Sequence, residues 1–298
     1  MTLDHTSMTD VVSVRVPATS ANLGPGFDCL GLALDLWGTI TLERREPVPA
    51  GDDPMGNMAT VAVRRFFDKI GHKTGALAAS YSGAIPIARG LGASAVARVG
   101  GLVAANELAG GPLSRDELLV IATDLEGHAD NAAPAIFGGL QVSVLEGDRV
   151  LHTAAPLPAG LLAVLFVPEF RIATKDARRA LPASLSRADA VHNIGRAALL
   201  VAAMARGRFD LLNAATQDRL HQPARSALFP AMGAIFEAAR AAGAHAAYLS
   251  GSGSTLCALA TANAQGIADA MAEAARAREV AGETIITRPT ETGAEVVE

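Results

Sequence analysis

The chain has 298 residues, half of them apolar and 18% charged, with 25 Lys and Arg against 30 Asp and Glu. That length and apolar content provide for a real hydrophobic core in one large domain or two closely packed ones, and exclude a disordered or fibrous chain. A net charge of −5, with nine Phe, two Tyr and one Trp, lacks the basic surface and stacking aromatics that polyphosphate backbones demand, so no nucleic-acid partner is expected. Cys29 and Cys257 are the only thiols, without CxxC spacing, and point to a reducing, cytoplasmic setting with no structural zinc. Met1 to Asp10 carries neither a basic region nor an apolar run and reads as a flexible tail, not an export signal. The apolar stretches Ala154–Pro168 and Ala241–Ala268 are respectively too short and too polar to span a bilayer, so no membrane is expected either.

In chain order, Val11–Pro17 alternates Val12, Val14 and Val16 on one face and predicts a strand, as does Thr39–Arg44. The string from Pro47 to Pro54 predicts a loop, followed by a helix over Asn57–Ile70. Gly90 to Gly92 opens a small-residue helix running to Leu108, stopped by Gly110-Gly111-Pro112. Ser114 and Glu117 form an S-x-x-E capping box at the head of a helix ending near Leu125. Phe137–Leu145 predicts a strand entered through Gly138-Gly139, and Ala154–Gly160 a boundary. Beyond it come a buried strand LLAVLFVP, helices over Thr174–Leu181, Ala188–Arg206 and Leu228–Ala242, a strand pair flanking Ser250–Ser254, a helix to Arg278 and a strand ETIITR. Strands and helices do not alternate regularly, which favours an α+β fold with an antiparallel sheet and helices on one face.

Several segments offer chemistry. In Pro86-Ile-Ala-Arg-Gly-Leu-Gly-Ala-Ser-Ala95, two glycines let backbone amides turn inward where a helix begins, a geometry that suits a polyanion; the alternative is that small residues merely permit close helix packing. Asp124-Leu-Glu126-Gly-His128-Ala-Asp130-Asn131 concentrates titratable groups at a turn, where Glu126 opposite Ser94 suits a hard cation, or else serves as a helix-end charge. Asn22 and Asp28 lie in a glycine-rich turn, a small-ligand site or a plain Asx turn. In Thr174–Arg178 and Gln222–Arg225 the guanidinium forks of Arg178 and Arg225 suit capture of a carboxylate, or face water; Ser250–Ser254 is a ligand loop or a hairpin turn. No P-loop or dinucleotide fingerprint is present.

The amino-terminal VRVPATSANLGPGFD, the PIARGLGASA loop and the late SGSGST loop, in that order, resemble the signature set of the GHMP small-molecule kinases. Within that superfamily SANLGPGFDCLGLAL and EGHADNAAPAIFGGL are similar to the homoserine kinases, and Thr174–Arg178 and Asp218–Arg225 to their substrate-binding segments. The resemblance implies a GHMP kinase fold: a ribosomal-protein-S5-domain-2-like α/β domain over 11–155 and a ferredoxin-like α+β domain over 156–290. It implies transfer of a phosphoryl group from ATP, with Mg²⁺, to the hydroxyl of L-homoserine, giving O-phospho-L-homoserine on the route to threonine. ATP would be cradled by Pro86, Ile87, Ala88, Arg89, Gly90, Leu91, Gly92, Ala93, Ser94, Ala95 and Val96, and Mg²⁺ held by Ser94 and Glu126. The implied catalytic set is Asn22, Glu126, Asn131 and Arg178. The implied substrate set is Asn22, Asp28 (toward the ammonium), His128, Asn131, Thr174, Arg178 and Arg225 (toward the carboxylate), Gly251 and Gly253.

Many relatives carry an Asp where Asn131 stands, so catalysis by positioning, without a protein base, is expected. GLGAS replaces the usual GLGSS, HADN the usual HPDN and SGSGST the usual SGSGPT, none of which removes a charged ligand. Relatives build their adenine pocket near Asn57. Competing readings keep the fold and change the alcohol, to mevalonate, a sugar or a diphosphocytidyl-methylerythritol, or make the chain a silent metabolite binder. A homodimer is compatible with the sequence but not legible in it, because an interface strand reads as core.

Overall fold

The computed structural model describes residues 11–45, 53–73 and 75–297. The expected tail Met1–Asp10 and the loop from Pro47 to Asp52 lie outside the described residues.

The first sheet is built on β1 (Val11–Ala21), antiparallel to β2 (Leu30–Arg44). Val12, Val14 and Val16 face the core, as their alternation predicts. The strand does not stop at Pro17: the ladder shifts register between Pro17 and Ala18, where the missing proline N–H is accommodated, and runs on to Ala21. β2 starts at Leu30, not Thr39, because Leu30 to Leu34 is buried throughout and shows no alternation to read. α1 (Pro54–Lys69) begins before the predicted Asn57: Asp53 accepts a hydrogen bond from the Gly56 amide at 2.9 Å and proline occupies the first turn, where its lack of N–H costs nothing. β3 (Leu77–Gly83) then pairs with β2.

α2 (Ala93–Leu108) packs on β1 and β2 and against α1. Its small residues permit this closeness, since a Cβ on Gly100 would lie 2.5 Å from Ile40 and one on Gly101 2.6 Å from the Ala59 carbonyl. α3 (Arg115–Glu126) carries the predicted reciprocal cap between Ser114 and Glu117. Phe137 is not a strand residue. It ends α4 (Ala132–Phe137), closed by the Gly138 amide on the Pro134 carbonyl, and β4 (Leu140–Glu146) starts only after Gly139. β5 (Arg149–Ala155) edges the sheet.

β6 (Leu162–Pro168) opens a second sheet and is followed by α5 (Thr174–Arg179), α6 (Arg187–Arg206), α7 (Leu212–Ala215), α8 (Gln222–Arg225) and α9 (Met232–Ala241). α9 starts after Leu228, because Pro230 disfavours helix in the residue before it. β7 (Ala246–Leu249), β8 (Leu256–Ala260), α10 (Ala264–Arg276) and β9 (Gly282–Thr287) complete an antiparallel sheet of order β7-β8-β6-β9. This is the split β-α-β-β-α-β pattern of a ferredoxin-like fold.

Both faces of that sheet are covered. Val164, Phe166 and Ala258 pack under α9 and α10, while Ala163, Leu165 and Cys257 join the core of the first sheet. β10 (Glu295–Val297) finally returns to pair with β1. Among the described residues, no helix is long and apolar enough to cross a membrane.

Candidate active site

A cavity of about 240 Å³ lies where α2, the turn after β1, the end of α3 and the loop after β7 converge. One wall is backbone. Ala88, Gly90 and Gly92 take φ of +56°, +82° and +68°, turning the chain into α2, and Gly92 provides no side-chain cap, so the first-turn amides stay free for a ligand. Gly92 is obligatory there: a Cβ would lie 1.9 Å from Thr19 Oγ1.

The Ser250–Ser254 loop braces this wall. Ser250 Oγ donates to the Gly90 carbonyl at 2.6 Å and shares a hydrogen bond with Ser20 Oγ at 2.8 Å, and the Thr255 amide donates to the Arg89 carbonyl at 2.8 Å. At the head of α2, Ser94 Oγ donates to Glu126 Oε2 at 3.1 Å, and Arg98, one turn on, reaches Glu126 Oε1 at 2.5 Å.

The opposite wall is made of side chains. Asn22, Leu23 and Asp28 all hold left-handed φ, a strained state for non-glycine residues that clusters at functional sites. Asn22 Nδ2 donates to the Gly251 carbonyl at 2.9 Å, while its Oδ1 accepts the Asp28 amide at 3.0 Å, which fixes the turn. Arg178 grips Asp28 with two parallel hydrogen bonds of 3.0 and 2.8 Å. That bond raises the Arg178 pKa further, against a smaller opposing effect of burial. Arg225 is buried; Nη1 donates to the Gly251 carbonyl at 2.9 Å and to His221 Nδ1 at 3.0 Å, and Nε to the Ala177 carbonyl at 3.3 Å. Burial, then the Arg178 charge, bring its pKa down to about 10, so it stays cationic at neutral pH. Both guanidinium groups lie over the Phe27 ring, at 5.5 and 5.6 Å.

His128 Nδ1 meets Asp130 Oδ1 at 2.5 Å. Burial opposes its charge, but the hydrogen bond and charge of Asp130, with that of Asp28, outweigh burial and raise the His128 pKa. Asn131 is held in one orientation, its Oδ1 accepting from Thr19 Oγ1 at 2.8 Å and its Nδ2 donating to Asp130 at 3.2 Å.

The cavity therefore brings together Asn22, Asp28, Ile87, Ala88, Gly90, Gly92, Ala93, Ser94, Glu126, His128, Asn131, Thr174, Arg178, Arg225 and Gly251. Other expected residues fall elsewhere. Pro86 and Arg89 line a separate cleft, where Arg89 donates to the Pro168 and Glu169 carbonyls; Leu91, Ala95 and Val96 are core, because a helix entered through the loop must bury one face. Gly253 does not line the cavity; a Cβ there would meet Leu249 and Ile172. Asn57 sits on the exposed side of α1, and the neighbouring Met58 lines the cavity instead. Nor are the charged groups open as expected: Asp28 and Arg178 satisfy each other, as opposite charges at this distance must. Sequence reasoning missed Phe27, Met58 and Ile172, of which only Phe27 carried a signal, as the aromatic inside the glycine turn; Ser252 comes from the Ser250–Ser254 loop, which was singled out only as a whole.

Two family models match: the GHMP kinases N terminal domain over residues 57–139 and the GHMP kinases C terminal over residues 200–277. The chain is 45% identical over 273 residues to a homoserine kinase of Moorella thermoacetica, covering 88% of this chain and 91% of that one. It is 50% identical over 240 residues to a homoserine kinase of Symbiobacterium thermophilum, covering 74% of each. Its fold matches the crystal structure of homoserine kinase from Cytophaga hutchinsonii with a TM-score of 0.88 and 30% identity, over 99% of this chain and 100% of that one. A backbone cup at the head of a helix, facing a wall of paired opposite charges, is thus found in a chain that belongs to the homoserine kinases of the GHMP kinase superfamily.

Proposed function

We propose that this chain transfers the γ-phosphoryl group of ATP to the side-chain hydroxyl of L-homoserine, giving O-phospho-L-homoserine, the substrate for a later step toward threonine. The observation that carries this reading is the juxtaposition in one cavity of the Gly90–Ser94 amide cup with Asp28, Arg178 and Arg225. The cup and the positive end of α2 suit the phosphate oxygens. Asp28 faces the amino acid's ammonium, and Arg178 and Arg225 its carboxylate. Thr174 and Gly251 border the same end of the cavity.

Ser94 and Glu126 fit a magnesium ion: both offer hard oxygen donors, and the Glu126 side chain is largely buried, with Ser94 Oγ on Oε2 and the Arg98 charge on Oε1. Such an ion neutralises charge on the phosphates. Asn22 and Asn131 orient the attacking hydroxyl; the Asn131 amide cannot take its proton, and the nearby Asp130 carboxylate is engaged by His128. Phosphoryl transfer is mainly in-line positioning and charge neutralisation, so this wall needs no strong base, and the hydroxyl proton passes to the phosphate or to water. An acidic limb in the pH–rate profile that Asp130→Asn abolishes would overturn the no-base reading. Both cysteines are unpaired, in keeping with a cytoplasmic enzyme.

A coupled ADP-release assay across homoserine, mevalonate, galactose and shikimate tests the substrate. Homoserine alone should give a strong signal; turnover favouring any other alcohol rejects it.

A further inference from the structure

Behind the charged wall lies a buried residue that does not reach the cavity yet touches two of its parts. His221 is fully buried. Its Nε2 lies 2.7 Å from the Gly24 carbonyl oxygen and its Nδ1 3.0 Å from Arg225 Nη1. A carbonyl oxygen only accepts and a guanidinium nitrogen only donates, so Nε2 carries the proton and Nδ1 is a bare acceptor. The ring is thus neutral and in a single tautomer. Burial keeps its pKa below the ordinary value against the charge of Asp218, and the Arg225 charge acts in the same direction as burial.

The backbone beneath the ring is equally fixed. Asp218 Oδ2 accepts the His221 and Gln222 amides at 2.9 and 2.6 Å, and its Oδ1 accepts the Leu220 amide at 2.8 Å and Asn193 Nδ2 at 2.7 Å. Gly24 belongs to the turn that carries Asn22, Phe27 and Asp28, and the Phe27 ring lies 5.5 Å from the imidazole. One imidazole therefore ties the cationic group on α8 to the turn bearing the anionic one. It also occupies one Nη1 hydrogen of Arg225, and among the described residues the protein hydrogen bonds of this guanidinium use Nε and Nη1 only, which leaves Nη2 for a ligand.

We propose that His221 is a positioning residue that sets the spacing between Arg225 and the Asn22–Asp28 turn, and thereby tunes the cavity to an α-amino acid, whose carboxylate and ammonium share one carbon. This rests on the reading of Arg225 as a carboxylate-binding group. His221→Phe fills the space and removes both hydrogen bonds. His221→Gln keeps a donor toward Gly24, and His221→Asn keeps an acceptor toward Arg225.

The experiment measures kcat and KM for ATP, for homoserine and for 3-aminopropan-1-ol, which lacks the carboxylate, in the full chain and these variants. His221→Phe should lower the preference for homoserine over the amino alcohol by about 10- to 100-fold, mainly through the homoserine KM, while the KM for ATP changes by less than about twofold. His221→Asn should retain more of that preference than His221→Gln. A loss of kcat equal for both alcohols, with the preference unchanged, makes His221 a mere core filler and overturns the proposal; so do equal preferences in the Asn and Gln variants, which decide the matter if His221→Phe fails to fold. Arg225→Ala separates the two layers of argument. If it leaves the preference intact, the carboxylate reading has failed, and the His221 role with it; if it abolishes the preference while the His221 variants keep it, the positioning role alone falls.

Discussion

The two walls of the cavity are built in different materials. The wall proposed for phosphate is backbone: left-handed glycines, free amides at the head of α2 and a second glycine loop packed against the first, with a Cβ on Gly90 meeting the Ser250 carbonyl at 2.3 Å. The wall proposed for the amino acid is made of charged side chains from segments far apart in sequence, held by buried polar partners. Backbone sites are rigid and indifferent to which alcohol is bound, as suits a phosphate donor shared across a superfamily. Side-chain sites carry the choice of acceptor.

Mutations that strike only one wall test this division. Glu126→Gln should have the largest effect, lowering kcat on the order of 100- to 1000-fold, because charge on the transferring group loses its support, while calorimetric homoserine binding stays close to wild type. Gly92→Ala should come next: with φ of +68° and Thr19 in the way, the loop must shift, and ATP binding should weaken by about tenfold or more with little change in homoserine binding. If it weakened both substrates alike, the walls would not be separable. Arg178→Ala should raise the homoserine KM by about 10- to 100-fold and leave ATP alone; the figure is held down because Arg178 and Asp28 are 38% and 34% exposed and solvent screens the pair.

The His128–Asp130 pair should show in pH dependence. A histidine pKa raised by folding contributes stability that is complete below about pH 6.5 and is lost as pH rises through the elevated value. In urea unfolding, the deficit of His128→Asn should therefore be widest near pH 6 and shrink toward pH 9; a deficit independent of pH would assign the pair no charge. Ser114→Ala should cost about 1 kcal/mol of stability through loss of the helix cap and leave both KM values unchanged, a baseline for effects that reach neither wall.

The same division decides what was legible in the sequence. The glycine spacing of PIARGLGASA pointed to the left-handed backbone wall at the head of α2, because such a turn before a helix demands glycine locally. The Ser114 box was legible for the same reason. By contrast, the Asp28–Arg178 pair joins residues 150 positions apart, and His221 stood in plain view within DRLHQPAR with nothing local to say that its ring faces Gly24 rather than the cavity. In the fold, Leu30–Leu34 hid because full burial erases alternation, and Pro17 looked like an end because nothing local announces a bulge. Phe137 was misread as strand because a short helix closed by glycine leaves the same trace as a kinked strand entry.

The mutual grip of Asp28 and Arg178 has a consequence for which molecules the cavity admits. A solute bearing a single charge, such as a simple amine or a simple carboxylic acid, gains one partner only by orphaning the other member of the pair in a half-enclosed space, an exchange that costs about as much as it returns. A dipolar molecule presents both signs at once and parts the pair without stranding either member. On the reading of the cavity proposed above, the closed pair would act as a filter against the abundant one-charge metabolites of the cell, set before any hydroxyl group is tested for reaction.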